Sequence, residues 1–328
     1  MNAKTSRILI TGGCGFIGSH LAESLLGDDM TVCVVDNLST GSWNNVQHLT
    51  GHPRFKSAIA DIRNETVLDR IVSESDAVVH LAAAVGVKLI VEQPVHTIET
   101  NIMGTEAVLK AAVRYRCRTL ITSTSEVYGK GTRIPYAEGD DVVLGATDKF
   151  RWAYAASKMV DEFLALAYQH QYRLPVTVVR LFNTVGPRQT GQYGMVIPRF
   201  VGQALRNENI TVYGDGQQTR CFCDVRDVVV ALKGLLVHDG AIGRVFNVGG
   251  TEEITIMSLA HRIRDLLRSQ SKIITVPYSE AYSPGFEDML RRVPDIGRIR
   301  ELLGWQPTTG LDQIIQQVAA SLRSDKTI

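Results

Sequence analysis

A chain of 328 residues with a formal net charge of +1 has no basic block of the kind nucleic acid or an anionic membrane surface needs, and 45% hydrophobic with 21% charged residues suits a soluble globular enzyme. The length implies one large or two adjoining domains. No run approaches the roughly eighteen apolar residues of a membrane span, and Met1–Arg7 leads into a strand without the apolar centre of a signal peptide, so a cytoplasmic location is expected.

The five cysteines, Cys14, Cys33, Cys117, Cys221 and Cys223, form no disulfide framework. Cys221 and Cys223 make a Cys-x-Cys, but no second pair or histidine cluster accompanies them, so reduced thiols are expected and no metal site.

Taken in order, Arg7–Thr11 is a short β run. A glycine-rich turn with Gly12, Gly15 and Gly18 follows, then a helix through Ser19–Leu26, then a second strand over Thr31–Asp36. Strand, glycine turn, helix, strand and terminal acid in one short unit point to dinucleotide binding. Gly15 lets the backbone approach a pyrophosphate, and the helix start offers unpaired N–H groups to it. Asp36 can hold the ribose hydroxyls. Asn37 and Leu38 follow it rather than arginine, so a 2′-phosphate would meet a carboxylate with no compensating cation, and NAD is favoured over NADP.

The alternation continues, with strands expected near Phe55–Ala60, Ala77–Leu81, Thr119–Ser123 and Val176–Leu181 and helices near Thr66–Ser73, Pro94–Tyr115 and Phe150–His170. Asp61 and Ile62 close the third strand, where a carboxylate and a backbone amide could meet adenine. His80, Leu81, Ala82 and Ala83 close the fourth, where small side chains let a cofactor lie close. The helices after Pro94 and around Tyr154 are strongly apolar and suit either pairing with their copies in a symmetric dimer or burial within one subunit.

Within the latter helix, Tyr154 and Lys158 lie four apart on one face. A phenol is a poor base at neutral pH, and a nearby ammonium eases its ionisation. Such a tyrosine can take a sugar hydroxyl proton while hydride leaves the same carbon for a nicotinamide.

After residue 182 the pattern breaks into shorter elements, which suggests a smaller substrate domain. Cys223–Leu232 and Arg244–Gly249 look like pieces returning to the cofactor sheet. The fold expected is α/β, a Rossmann-type doubly wound parallel sheet with a smaller interleaved C-terminal α/β domain. Residues 1–182, with returning segments near 222–248, are expected to form the dinucleotide-binding part, and residues 183–328 mainly a substrate-binding part.

Thr11–Gly18, Asp36, His80–Ala83, Thr124–Gly129, Tyr154-x-x-x-Lys158 and Arg180–Pro187 occur in the order of the extended short-chain dehydrogenases/reductases, and the chain resembles their NAD-dependent epimerase/dehydratase branch, which acts on nucleotide sugars. The resemblance implies that Thr124, Tyr154 and Lys158 are catalytic, with Lys158 also on the nicotinamide ribose, where it would lower the tyrosine pKa. It assigns cofactor contacts to Gly12, Gly15, Phe16, Ile17, Gly18, Asp36, Asn37, Asp61, Ile62, Leu81, Ala82, Ala83 and Asn101. Tyr213–Arg220 is similar to the family's nucleotide-sugar grip, with Arg220 on the diphosphate and Asn183 by the sugar or first phosphate.

The branch shares oxidation at sugar C4, after which the substrate decides the outcome: a 4-epimer, a 4-keto-6-deoxy sugar or, with a C6 carboxylate, loss of CO₂. Ser125 stands where 4,6-dehydratases have an acid, so dehydration is disfavoured. Thr124-Ser125-Glu126, Lys149–Tyr154 and Gly285–Asp295 are similar to segments of UDP-glucuronate decarboxylases and UDP-apiose/UDP-xylose synthases. The resemblance therefore implies oxidative decarboxylation of UDP-glucuronate to a UDP-pentose, with Glu126 handling the C5 proton, Ser125 against the substrate, and Arg292 on the carboxylate or the diphosphate. Lys88 either holds a carboxylate or is solvated. A UDP-hexose or UDP-uronate 4-epimerase using the same Thr124, Tyr154 and Lys158 is the alternative; a reductase or a non-catalytic NAD-sensing protein stands further off. The expected assembly is a homodimer.

Overall fold

The computed structural model describes residues 6–86, 92–191, 195–281 and 289–324. Seven parallel strands form the central sheet: β1 (Arg7–Thr11), β2 (Thr31–Asp36), β3 (Phe55–Ile59), β4 (Ala77–His80), β5 (Arg118–Thr124), β6 (Val176–Leu181) and, from much later in the chain, Val245–Val248. The spatial order is the late strand, then β6, β5, β4, β1, β2 and β3. The order reverses between β1 and β4, and a parallel sheet that reverses there leaves a crevice at its carboxyl edge.

The apolar runs that marked these strands become two-sided burial. Leu9, Ile10, Val34, Val78, Val79, Leu120 and Ile121 are all sealed from solvent. On one face lie α1 (Phe16–Gly27) and, later in the chain, Val225–Val237; on the other lie α2 (Glu65–Ser73), α3 (Pro94–Tyr115) and α4 (Arg151–Tyr172). The first helix starts at Phe16, inside the glycine turn and three residues before the expected Ser19. Gly18 permits this, because a Cβ there would stand 2.3 Å from the Gly12 carbonyl oxygen.

Beyond β6 come β7 (Thr184–Val185), α5 (Val196–Leu205), β8 (Ile210–Tyr213), β9 (Thr219–Cys221), β10 (Cys223–Asp224), α6 (Val225–Val237), β11 (Val245–Val248), β12 (Glu253–Thr255), α7 (Ile256–Leu266), β13 (Ile273–Val276), β14 (Arg291–Arg292), α8 (Gly297–Leu303) and α9 (Leu311–Ser324). Of the two segments expected to return to the cofactor sheet, 245–248 enters it beside β6. The other supplies no strand to it: β10 pairs with β7, and α6 lies against α1 in the helix layer.

A separate apolar cluster joins α5, β8, α7 and α9 through Ile197, Phe200, Ile210, Leu259 and Ile315. In the small sheet beside it, β9 pairs with β12 on one edge and β14 on the other. All five cysteines are free.

Candidate active site

The crevice at the carboxyl edge begins with the glycine turn. Gly12 has φ +69°, and a Cβ on it would stand 2.8 Å from the Ala82 amide nitrogen. Only glycine combines that backbone with that approach. The turn hands directly into α1, whose first amides face the space in front of the sheet.

Asp36 ends β2 with Oδ2 accepting the Cys14 amide at 2.9 Å and Oδ1 accepting the Leu38 amide at 2.8 Å. Burial raises its pKa from the ordinary value while these two amides oppose the rise. Asn37 Nδ2 donates to Asp61 Oδ2 at 3.2 Å, and Arg63 holds Asp61 well below the usual carboxylate range. Leu81, Ala82 and Ala83 line the end of β4 as half-buried residues, and Ile62 is buried against Gly104. The ring of Phe16 meets His20 edge-on at 5.8 Å, and Ile17 packs on the core below. Asn101 is engaged at both ends of its amide: Oδ1 accepts the Ala84 amide at 2.8 Å and Nδ2 donates to Ser157 Oγ at 3.0 Å. A pyrophosphate-sized cradle beside an acid at the end of β2 fits a dinucleotide with free ribose hydroxyls.

Further along the edge, β5 ends in Thr124 and turns through Ser125–Tyr128. Thr124 Oγ1 accepts the Glu126 amide at 3.2 Å, which fixes both side chains on one tight turn. Across from it, α4 presents Tyr154, whose phenol hydrogen-bonds Thr124. Tyr154 is buried, and its pKa is raised by that burial first and by the Glu126 charge second, with the Thr124 bond opposing both. The lysine on the same face was expected to lower this value; desolvation prevails. Lys158 Nζ is instead bonded to Asp161 Oδ2 at 2.7 Å, one turn on, with both side chains buried.

Glu126 sits between two guanidinium groups: Arg292 Nη1 at 3.3 Å from Oε1 and Arg151 Nη1 at 3.6 Å from Oε2. Arg292 arrives on β14, in register with Arg220 on β9. Arg220 and Arg151 are both at least 95% buried by residue surface. Two guanidinium groups about one carboxylate, with Arg220 one strand away in register with Arg292, gather cationic side chains that suit an anionic ligand. Ser125 Oγ is buried and has no hydrogen-bond partner among the described residues. Asn183 adopts φ 34° and donates to the Cys221 carbonyl at 2.8 Å, tying the loop after β6 to β9.

Arg151 carries a place in this cluster that the sequence reading did not assign. It stands three residues before Tyr154, so helical spacing puts both on one face. Of the expected substrate contacts, Lys88 and Gly285–Asp288 lie outside the described residues. No group of three or more metal-ligating side chains occurs among the described residues.

Residues 9–318 match the family described as GDP-mannose 4,6 dehydratase. The chain is 42% identical over 313 residues to a UDP-N-acetyl-alpha-D-glucosaminuronate decarboxylase of Bacillus cytotoxicus, covering 95% of this chain and 96% of the relative. It is 38% identical to UDP-glucuronic acid decarboxylase 4 of Arabidopsis thaliana, covering 95% of this chain and 68% of that protein. Among solved structures, UDP-glucuronic acid 4-epimerase from Bacillus cereus, in complex with UDP-glucuronic acid and NAD, superposes with a TM-score of 0.87 at 28% identity, over 97% of this chain and 99% of the other.

Proposed function

Since the chain belongs to the GDP-mannose 4,6-dehydratase family of NAD-dependent nucleotide-sugar enzymes, we propose that it decarboxylates a UDP-hexuronate, with UDP-glucuronate as substrate and a UDP-pentose as product. The observation that carries this reading is the position of Glu126, bracketed by Arg292 and Arg151 beside the Tyr154 phenol. A sugar whose C4 hydroxyl meets Tyr154 brings its C5 substituent toward those arginines, and a carboxylate is the substituent they suit.

Bound NAD, held along Gly12–Gly18 and Asp36, would accept hydride from C4 and return it at the end. Tyr154 takes the C4 hydroxyl proton, and Thr124, already bonded to that phenol, holds the sugar oxygen. Ionising so buried a phenol needs positive charge close by, and Lys158 lies one turn along the same face. The oxidised sugar is a β-keto acid; its C5–carboxylate bond breaks, CO₂ leaves, and the electron pair passes into an enolate. Thr124 and Tyr154 donate to that oxygen. C5 takes up a proton drawn from solvent and relayed by way of Glu126, while Arg292 and Arg151 orient the departing carboxylate. Ser125 offers a hydroxyl with no acidity suited to expelling water, which disfavours 4,6-dehydration. Arg220 grips the diphosphate, with Asn183 beside it.

The same reading divides the chain into an NAD-binding part, residues 1–182 with returning segments near 222–248, and a mainly nucleotide-sugar-binding part, residues 183–328. It also makes the protein a cytoplasmic homodimer. Among the described residues no helix is long and apolar enough to cross a membrane. Helices α3 and α4 pack on each other and leave Val95, Ile98 and Met103 of one, and Phe163 and Tyr172 of the other, exposed. Such an apolar face on two long helices suits pairing with a second copy.

The test is a product assay. Purified protein is incubated with UDP-glucuronate, UDP-N-acetylglucosaminuronate, UDP-glucose and UDP-N-acetylglucosamine, and products are read by mass and proton NMR. Loss of CO₂ from a uronate supports the proposal. An isobaric inversion at C4, with no mass change on any substrate, would establish the 4-epimerase instead, a reading favoured by the fold shared with the Bacillus cereus enzyme.

A further inference from the structure

Lys158 is not the end of a polar chain but one end of it. Its ammonium donates to Asp161 Oδ2 at 2.7 Å, and Asp161 is wholly buried. The Thr105 hydroxyl on α3 faces the same carboxylate and favours its charged form. Thr105 Oγ1 lies 3.1 Å from His80 Nε2, and His80 Nδ1 lies 2.7 Å from Thr11 Oγ1. Thr11 Oγ1 in turn accepts the Ala82 amide at 3.2 Å.

The donors and acceptors run one way. With the Thr11 hydroxyl donating to His80 Nδ1, His80 Nε2–H donates to Thr105 Oγ1; the step from Thr105 to Asp161 is one of proximity, since Asp161 Oδ1 has no hydrogen-bond partner among the described residues. The histidine is then neutral, in keeping with burial and the Lys158 charge pushing its pKa down to about 3. The chain joins α4, α3, β4 and β1 beneath the crevice and ends at the residue before the glycine turn.

We infer that Asp161 is a positioning residue for catalysis: through its buried ion pair it fixes the Lys158 ammonium in one place and tempers the field that the ammonium exerts on Tyr154. The inference rests on the proposed roles of Tyr154 and Lys158. Its physical basis is that an unpaired ammonium on four methylenes has rotamer freedom that a buried ion pair removes. A carboxylate two turns from Tyr154 on the same helix also opposes phenolate formation. The groups shown acting on Tyr154 are Thr124 and Glu126 after β5, Asp161 on its own helix and Arg292 on β14, with Lys158 paired to that Asp161; His80 on β4 contributes no charge.

Two effects of opposite sign follow for Asp161→Asn. Maximal kcat falls by about a hundredfold, because the ammonium is no longer held in register with the reacting groups. Yet the acid limb of kcat/KM moves to lower pH by about one unit, since the anion opposing phenolate formation is gone. KM for the sugar nucleotide is unchanged, and less NAD is retained per purified chain when the protein is denatured and the cofactor quantified. A merely structural role would lower activity without moving the limb. Because a lone buried charge can prevent folding, Asp161→Glu is measured beside it: the limb stays at the wild-type pH while kcat falls, the longer arm having displaced the ammonium.

Lys158→Met serves as the reference. Wild-type turnover and NAD retention in Asp161→Asn beside an inactive Lys158→Met overturn the positioning role and leave the proposed function standing. Wild-type turnover in both variants overturns the two together. A limb that stays in place in Asp161→Asn, or moves as far in Asp161→Glu, also overturns the inference.

Discussion

Glu126 and Arg292 stand 3.3 Å apart across 166 residues of sequence, and that contact joins the turn after β5 to the small sheet. On its other side Glu126 faces Arg151 at 3.6 Å. Replacement of Glu126 by Gln keeps the shape and removes the charge. We expect C4 oxidation to survive and the step after it to fail, with CO₂ formation down about a hundredfold. Reduced nicotinamide should then accumulate in a single turnover, followed by its absorbance. Normal CO₂ release without that accumulation would remove Glu126 from the chemistry.

Tyr154→Phe removes the proposed base and leaves the ring that fills the space. Turnover should drop by on the order of a hundredfold or more. Affinity for the sugar nucleotide, measured by calorimetry, should change little, because Arg220 and Arg292 remain in place. A variant that turns over at the wild-type rate would dismiss the phenol as base.

How far the site was legible in the sequence depended on the distance over which each part is encoded. Gly12 to Asp36 and Tyr154 to Lys158 are local arrangements, where turn geometry and helical spacing bring the atoms together, and the structure brings them to one crevice edge. Asp161 was equally local, one turn after Lys158, but an acid on an amphipathic helix carries no mark of whether it faces solvent or core. The Arg151 contact with Glu126 depends on how α4 docks against the end of β5, which periodicity does not specify. Strand 245–248 was legible as a returning piece because Val245, Phe246 and Val248 make a short apolar run ended by Gly249 and Gly250, as suits a strand covered on both faces. Asp224, by contrast, caps α6 by accepting the Arg226 amide at 2.8 Å, and that cap turns an apolar run into helix rather than strand.

The exposed face of α3 and α4 gives a prediction about assembly. Phe163 is 65% exposed in the single chain. If two copies meet there, Phe163→Lys places an ammonium in an apolar interface and should convert a dimer to a monomer in light scattering at micromolar concentration. The helix content by circular dichroism should be unaltered. A Phe163→Lys protein with the wild-type mass would show that the copies do not meet on this face.

The small sheet that carries Arg220 and Arg292 should be sensitive to acid. Glu253 on β12 accepts from Arg291 on β14, and this bond holds its pKa at about 2, below the roughly 4.3 of a free glutamate. A depressed carboxylate contributes stability that is complete above the unfolded value and is lost as pH falls through the folded one. Urea midpoints should therefore decline between about pH 4 and pH 2. In Glu253→Gln the decline over that window should be shallower; an identical slope would show that the Arg291 contact does not contribute.

Ile299 and Trp305 share one apolar cluster with Ile8, Leu21 and Val32, so the first βαβ unit is walled in part by residues that come much later in the chain. At synthesis rates of about 5–20 residues per second, the interval between the two is on the order of tens of seconds. Through that interval α1 is the part of this apolar wall already present, and the part supplied by α6, Ile299 and Trp305 is still to come. Removal of Ile299 and Trp305 would therefore bare apolar surface on the N-terminal half of the sheet.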